Sequence, residues 1–331
     1  MIKTWMTPWL LMAVPFLGAA LSLLLRASLQ RMKTSALLTT VACLLVVIGT
    51  PWALGDTLAG VPFLCLLPLT AFLSLLGQPL HRDNTSAWTA TLVLLGLGLG
   101  ILTAQAPAHD VMLLILPGLL CILLYRYQSG ATSETWRGLS AYGLSMVSAA
   151  LALVLTTPAS TVALLVTCAT LLPLLPVHSG FIATLTGLPG NLPAFLVFLL
   201  PTVGFHTLLT LLPNLTVTTL HTVTILALAG AVYGSLRALI QARPLPRLAY
   251  AALAFFGMLW WYVADTGTAP VQATVYLSAV GLAASGLLLA WYAIRARYGD
   301  IDLRALGGLA YPMPRALRLT ARMNGPSYTR T

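Results

Sequence analysis

Apolar runs long enough to cross a bilayer recur along almost the whole chain, and little else it could fold into remains open. A helical span needs about 20 predominantly apolar residues. Runs of this kind are read at 8–25, 35–54, 58–77, 87–105, 110–126, 138–157, 161–188, 193–212, 219–240, 247–264 and 270–294, which makes eleven. The connections carry turn chemistry, as in LGDT at 54–57, TPAS at 157–160 and DTGTAP at 265–270. Only 7% of the residues are charged and 59% are hydrophobic, with a mean hydropathy of +0.92. Soluble domains carry about 25% charged residues. The expected fold is therefore an all-α polytopic membrane protein of about 11 transmembrane helices. The first run lacks a basic cluster before it and a clear cleavage site, so it reads as a span and not as a signal peptide.

One run departs from the rest. Between Ala163 and Asn214 the chain stays apolar, yet prolines at 173, 176, 189, 193 and 201 remove helix donors, and His178 sits among them. Unpaired backbone at membrane depth is tolerated only where protein or a water-filled cavity covers it. A proline-interrupted membrane helix is accordingly a pointer to an ion or substrate path. The expectation is one broken helix around 161–190.

Charge placement predicts orientation. With the N-terminus outside, sixteen of the seventeen basic residues collect on the inner side: Arg26, Arg31 and Lys33, then Arg82, Arg126 and Arg137, then Arg237, Arg243 and Arg247, then seven arginines from Arg295 onward. Only Lys3 remains outside. This asymmetry is the ordinary topological signal. The formal net charge of +10 therefore marks topology, and no nucleic-acid partner is expected. The excess of arginine over lysine hints at a GC-rich genome, so a bacterial inner membrane is favoured over a mitochondrial one. The basic segment 295–331 is too polar to span and is expected on the inner surface, or along a neighbouring subunit.

The seven acidic residues, Asp56, Asp83, Asp110, Glu134, Asp265, Asp300 and Asp302, all fall in loops or at helix ends. No span carries a carboxylate or an ammonium near its centre, whereas proton pumps bury such groups as titratable stations. What remains at depth is polar and mostly untitratable, with His178 and His206 as the exceptions. An imidazole titrates near neutral pH and could relay a proton. The alternative is a neutral histidine held by a carbonyl freed by the prolines. Weak ion-path candidates are thus His178, Ser179, Thr202 and His206; His81, His109 and His221 read as interfacial. Cys43, Cys65, Cys121 and Cys168 stand singly inside apolar runs, the pattern of small core residues and not of a metal or disulfide framework. No metal-ligand spacing, nucleotide-binding motif or nucleophile–base pair is present, so no cofactor, no metal and no catalytic residue is expected.

Three stretches resemble the antiporter-like membrane subunits of respiratory complex I, NADH–quinone oxidoreductase chains M and N. PLLPVHSGFIATLTGLPG (173–190) is similar to the family's broken seventh helix, with its K-V-P-x-x-P-x-H run. LALAGAVYGSLRALIQARPLPRLAY (226–250) resembles the G-x-x-Y-G-A-x-x-A-L-x-Q…K-R-x-x-A-Y segment. GDIDLRALGGLAYPMP (299–314) is similar to the R-D-I-x-x-x-G-G-L-A-x-x-M-P connection. Asp110 at the opening of the fifth helix also fits. The resemblance covers roughly 60–314. It implies a bundle with discontinuous helices that conducts protons beside other integral membrane subunits, in contact with lipid and never as a free monomer.

The departures bear on function. Counted along these motifs, the fifth-helix glutamate falls on Leu119 and the seventh-helix lysine on Leu171. The eighth-helix lysine falls on or near Pro201, and the eleventh-helix histidine on Val280. The family continues through a second broken helix and two more spans, so an incomplete second inverted repeat is expected. The expected division is 1–107 for the first four helices, 108–212 for a first half-repeat with the broken helix, 213–294 for a truncated second one, and 295–331 for the tail. Replacing both members of a buried ion pair by apolar groups is tolerated, whereas losing one strands a charge at about 3–5 kcal/mol. The residues point to a mainly structural, non-pumping or weakly conducting subunit of a complex I-like assembly. The competing reading is a conducting subunit using His178 and His206, one variant of which pairs with a soluble zinc protein for inorganic-carbon uptake.

Overall fold

A computed structural model describes residues 2–54, 61–81, 84–127, 133–268 and 270–299. Asp56, Arg82, Asp83, Asp300, Asp302, most of the 299–314 motif and nearly all of the basic tail lie outside the described residues.

Twelve α-helices, with no strand among the described residues, account for the eleven runs, because the seventh run is split. They are α1 (Ile2–Leu24), α2 (Leu29–Leu54), α3 (Val61–Gly77), α4 (Thr85–Thr103), α5 (Ala108–Tyr127), α6 (Ser133–Val154), α7 (Ala159–Leu171), α8 (Ser179–Gly187), α9 (Leu192–Leu211), α10 (Val217–Ile240), α11 (Pro244–Thr266) and α12 (Val271–Tyr298). Eight of the helices have apolar stretches of at least 18 residues, long enough to cross a membrane, and three more have shorter ones, Trp9–Leu24, Pro62–Gly77 and Ala159–Leu171. The chain is an integral membrane protein.

Helix ends carry the charge. Arg31 and Lys33 lie in the opening turns of α2, Asp110 in the first turn of α5 and Glu134 in that of α6; Arg126, Arg237, Arg295 and Arg297 lie in last turns. The Lys33 ammonium donates to the Leu76 and Gln78 carbonyls at the end of α3. Those carbonyls have no intrahelical partner, so a lysine from the neighbouring helix closes the terminus.

At the centre stands α9. It has no charged residue, and 83% of its span is buried, including Phe195, Phe198, Leu199 and Phe205 at 0% exposure. A helix that is apolar on every side belongs inside a bundle. Helices α3, α4, α7, α8 and α12 pack around it. Proline opens its first turn at Pro193 and recurs inside it at Pro201.

Helices α10 and α11 meet along small residues. A Cβ on Gly234 would lie 2.9 Å from the Tyr250 carbonyl, and one on Gly257 would lie 2.9 Å from the Ala227 carbonyl. Only glycine permits this approach. Backbones that touch in this way are the usual substitute, inside a membrane, for a hydrophobic driving force between helices.

Candidate functional site at the broken helix

Helix α7 stops at Leu171 because Pro173 has no N–H to continue the ladder. Leu172 turns extended, at φ −89° and ψ 98°, and its N–H still donates to the Cys168 carbonyl at 2.8 Å. The Leu174 N–H reaches back five residues to the Ala169 carbonyl at 2.9 Å. The chain then passes Pro176, and α8 starts after His178. The Leu172 carbonyl, freed by the interruption, accepts from Trp260 Nε1 of α11 at 2.9 Å. Trp260 is 1% exposed. Gly204 of α9 lies against the break, where a Cβ would stand 2.6 Å from the Leu172 nitrogen.

Helix α6 is stitched to both halves. Thr170 Oγ1 stands 2.8 Å from Ser145 Oγ, and the Tyr142 and Thr184 hydroxyls are 2.7 Å apart. All four side chains are fully buried. The ring of Tyr142 also covers Gly180 in the first turn of α8. The break is therefore closed by protein, as unpaired backbone at this depth requires.

The four sequence-derived path candidates do not form one chain of contacts. Ser179 Oγ donates to the Arg137 carbonyl of α6 at 2.9 Å. The His178 ring meets Tyr233 edge-on, 5.5 Å between centroids, and lies against the backbone of Pro176. Tyr233 in turn meets Tyr250 at 6.1 Å, and the Arg237 guanidinium lies over both, 5.9 and 5.3 Å from their centroids. Thr202 is fully buried in α9, and its hydroxyl also has no partner.

His206 belongs to a second cluster. Its ring is 6.0 Å from that of His109, at the start of α5. His109 Nδ1 is 2.9 Å from Asp110 Oδ1, and its Nε2 is 3.4 Å from Thr207 Oγ1. His178 is tied through Ser179 to Arg137, just past the opposite end of α5. Twenty residues of helix, about 30 Å, separate the ends of α5. His109, read from the sequence as interfacial, lies in the first turn of α5, where it is 8% exposed and packs against His206. The one hint in the sequence is its place beside Asp110, in the opening turn of a span.

The positions matched to the family's charged residues are apolar and packed. Leu171 is 0% exposed and Pro201 is buried, while Leu119 and Val280 lie half-buried against the same core. Cys43 and Cys168 are buried, Cys65 and Cys121 half-buried, and all four are free thiols. Among the described residues no three of His, Cys, Asp and Glu are grouped to hold a metal.

A membrane bundle with an interrupted seventh span, braced from α6, α9 and α11, defines the class of protein. Its particular family follows from sequence: the chain belongs to the family described as "NADH:quinone oxidoreductase/Mrp antiporter, TM", whose profile matches residues 113–324. Solved structures share the fold. A chain of the membrane-bound sulfane sulfur reductase, an archaeal respiratory membrane complex, superposes with a TM-score of 0.77 at 15% identity, covering 95% of this chain and 76% of that one. A chain of respiratory complex I from Thermus thermophilus gives 0.75 at 20% identity, covering 95% and 78%. A chain of the Mrp complex from Dietzia sp. DQ12-45-1b gives 0.74 at 17% identity, covering 96% and 69%. Among curated proteins no match was found.

Proposed function

We propose that the chain is a non-pumping or weakly conducting membrane subunit of a complex I-like proton-translocating assembly, with a mainly structural role. Leu171 carries this reading. It ends the first half of the broken helix, where the family resemblance expects a lysine, and it is wholly buried in apolar contacts. Leu119, Pro201 and Val280 extend the pattern. A proton crossing hydrocarbon needs titratable stations, and these positions supply none. The similarity to chains of multi-subunit membrane complexes supports integral membrane subunits, with lipid, as the partners.

The test is proton flux in vesicles holding the purified chain, alone and within its native assembly. The chain alone should match empty vesicles, and flux well above that background would sink the proposal. Purification from native membranes should bring other very hydrophobic subunits with it; isolation as a stable monomer would count against the structural role.

A second reading keeps a conducting path through His178, Ser179, Thr202 and His206, with an inorganic-carbon uptake complex as its variant setting. One buried polar atom without a partner, Thr202 Oγ1, favours it. The separation of His178 from His206 weighs against it, because a relay between them needs carriers that neither cluster provides. His178→Ala and His206→Ala should abolish any flux if this reading holds.

The basic residues support an N-terminus outside and a cytoplasmic C-terminus in a bacterial inner membrane. The segments 1–107, 108–212, 213–294 and 295–331 are proposed as the functional divisions of the chain.

A further inference from the structure

The hydrogen bonds where α5 begins call for one hydrogen more than a neutral imidazole supplies. His109 lies between two oxygens: its Nδ1 is 2.9 Å from Asp110 Oδ1, and its Nε2 is 3.4 Å from Thr207 Oγ1 of α9. A carboxylate only accepts, so the hydrogen of the first contact sits on Nδ1. The Thr207 hydroxyl has a single hydrogen, and its shorter contact, 3.0 Å to the Val203 carbonyl, takes it. Toward Nε2 the Thr207 oxygen is therefore an acceptor. A neutral imidazole carries a hydrogen on one nitrogen and a bare lone pair on the other. Here it would set that lone pair against another one. The imidazolium donates at both positions.

The surroundings of the ring agree. The Asp110 side chain is 21% exposed against 10% for His109, so the carboxylate stands between the ring and water. Helices α3, α4, α6, α7, α8 and α12 pack against α5 and α9. Among the described residues none of them brings a charged side chain or a further imidazole to this end. Their other titratable groups here are the Cys65 and Cys168 thiols and the Tyr276 phenol, which donates to the Phe255 carbonyl. The second ring, His206, lies 6.0 Å away with its plane inclined by 56°. Two imidazoliums this close would repel each other across a single carboxylate, so the cluster has room for one extra hydrogen.

We propose that His109 is a proton-binding site: one proton, taken from the aqueous phase nearest the start of α5, makes its ring an imidazolium that pairs with Asp110 and donates to Thr207. The bound proton fastens α5 to α9, because without it the contact with Thr207 has no hydrogen. Both contacts are then charge-assisted, and such bonds are about twice as strong as neutral ones. The site lies at the opposite end of α5 from the bond between Ser179 and Arg137. It uses none of the positions Leu119, Leu171, Pro201 and Val280. It therefore stands whether or not the structural role proposed above is correct.

The test is nuclear magnetic resonance of the full chain in lipid nanodiscs, labelled with nitrogen-15 at histidine. Signals are assigned by replacing each of the five histidines in turn with glutamine. At neutral pH His109 should show hydrogen on both ring nitrogens in the wild type, and on one in Asp110→Asn. Asp265→Asn, at the end of α11, should leave the His109 signal unchanged. If Asp110→Asn does not fold, Thr207→Val carries the comparison, since it strands the Nε2 hydrogen, and it should reduce the imidazolium signal. The fastening is read separately, as the melting temperature in detergent. The proton is bound in the folded state, so the melting temperature should fall as rising pH removes the imidazolium signal. His109→Gln has nothing to titrate there and should flatten that fall. A neutral His109 in the wild type, or equal signals in wild type and Asp110→Asn, would overturn the proposal. So would an imidazolium found at His206 in place of His109. An equal fall in wild type and His109→Gln would overturn the fastening of α5 to α9.

Discussion

Trp260 of α11 donates its indole N–H to the carbonyl of Leu172, 88 residues away in sequence, at 2.9 Å in a fully buried setting. The helix interruption frees that carbonyl, and Leu172 is 0% exposed. One side chain thus satisfies the acceptor and fixes the distance between α11 and the break.

Trp260→Phe removes the donor together with the five-membered ring, so its cost includes the space left behind. An unsatisfied buried carbonyl costs about 1–3 kcal/mol. The variant should unfold earlier by at least that amount in a detergent titration, and unchanged stability would mean that the contact is incidental.

The buried pair Tyr142–Thr184 joins α6 to α8. Tyr142→Phe and Thr184→Val should each destabilise, and their double-mutant cycle should show a coupling near 0.6 kcal/mol, the average for hydrogen bonds inside a membrane bundle. Additive effects would mean that the two hydroxyls act independently.

Leu171→Lys would put an ammonium among fully buried apolar groups. With no partner in place, a stranded charge of this kind costs about 3–5 kcal/mol. We expect sharply reduced yield of folded protein and no gain of proton flux. A well-folded, conducting variant would show that the path survives with only its charge removed.

Gly257→Leu would drive a side chain into the Ala227 backbone, 2.9 Å from where the first carbon would sit. Overpacking of a tight contact costs about 1–3 kcal/mol. Disulfide trapping between cysteines introduced on α10 and α11 should become slower in this variant than in the wild type.

Much of the fold is legible in the sequence, because span length and proline placement are local signals. The split of 161–188 into α7 and α8 is written in Pro173 and Pro176. Boundaries are less legible. Helix α2 starts at Leu29, not 35, because LQRMKT is helical although too polar to count as apolar. Helix α12 runs on to Tyr298 because Arg295 and Arg297 can keep their stems along the helix and their charges at its end. The contacts of the site are hardly legible at all. Trp260 with Leu172, and His109 with Thr207, join residues 88 and 98 positions apart. No periodicity encodes such pairs, least of all along α9, which is apolar on every side. His178 and His206 share a run of sequence, and that proximity suggests a shared path; α8 and most of α9 lie between them, and their side chains meet different neighbours.

The glycine seam joining α10 to α11 has a mechanical consequence. Two rods whose main chains touch cannot slide or splay without first tearing that seam, so the pair is a single stiff strut. Because Trp260 and Arg237 both ride on this strut, a push at the membrane surface near Arg237 reaches the interruption in the seventh span through touching main chains and one indole ring.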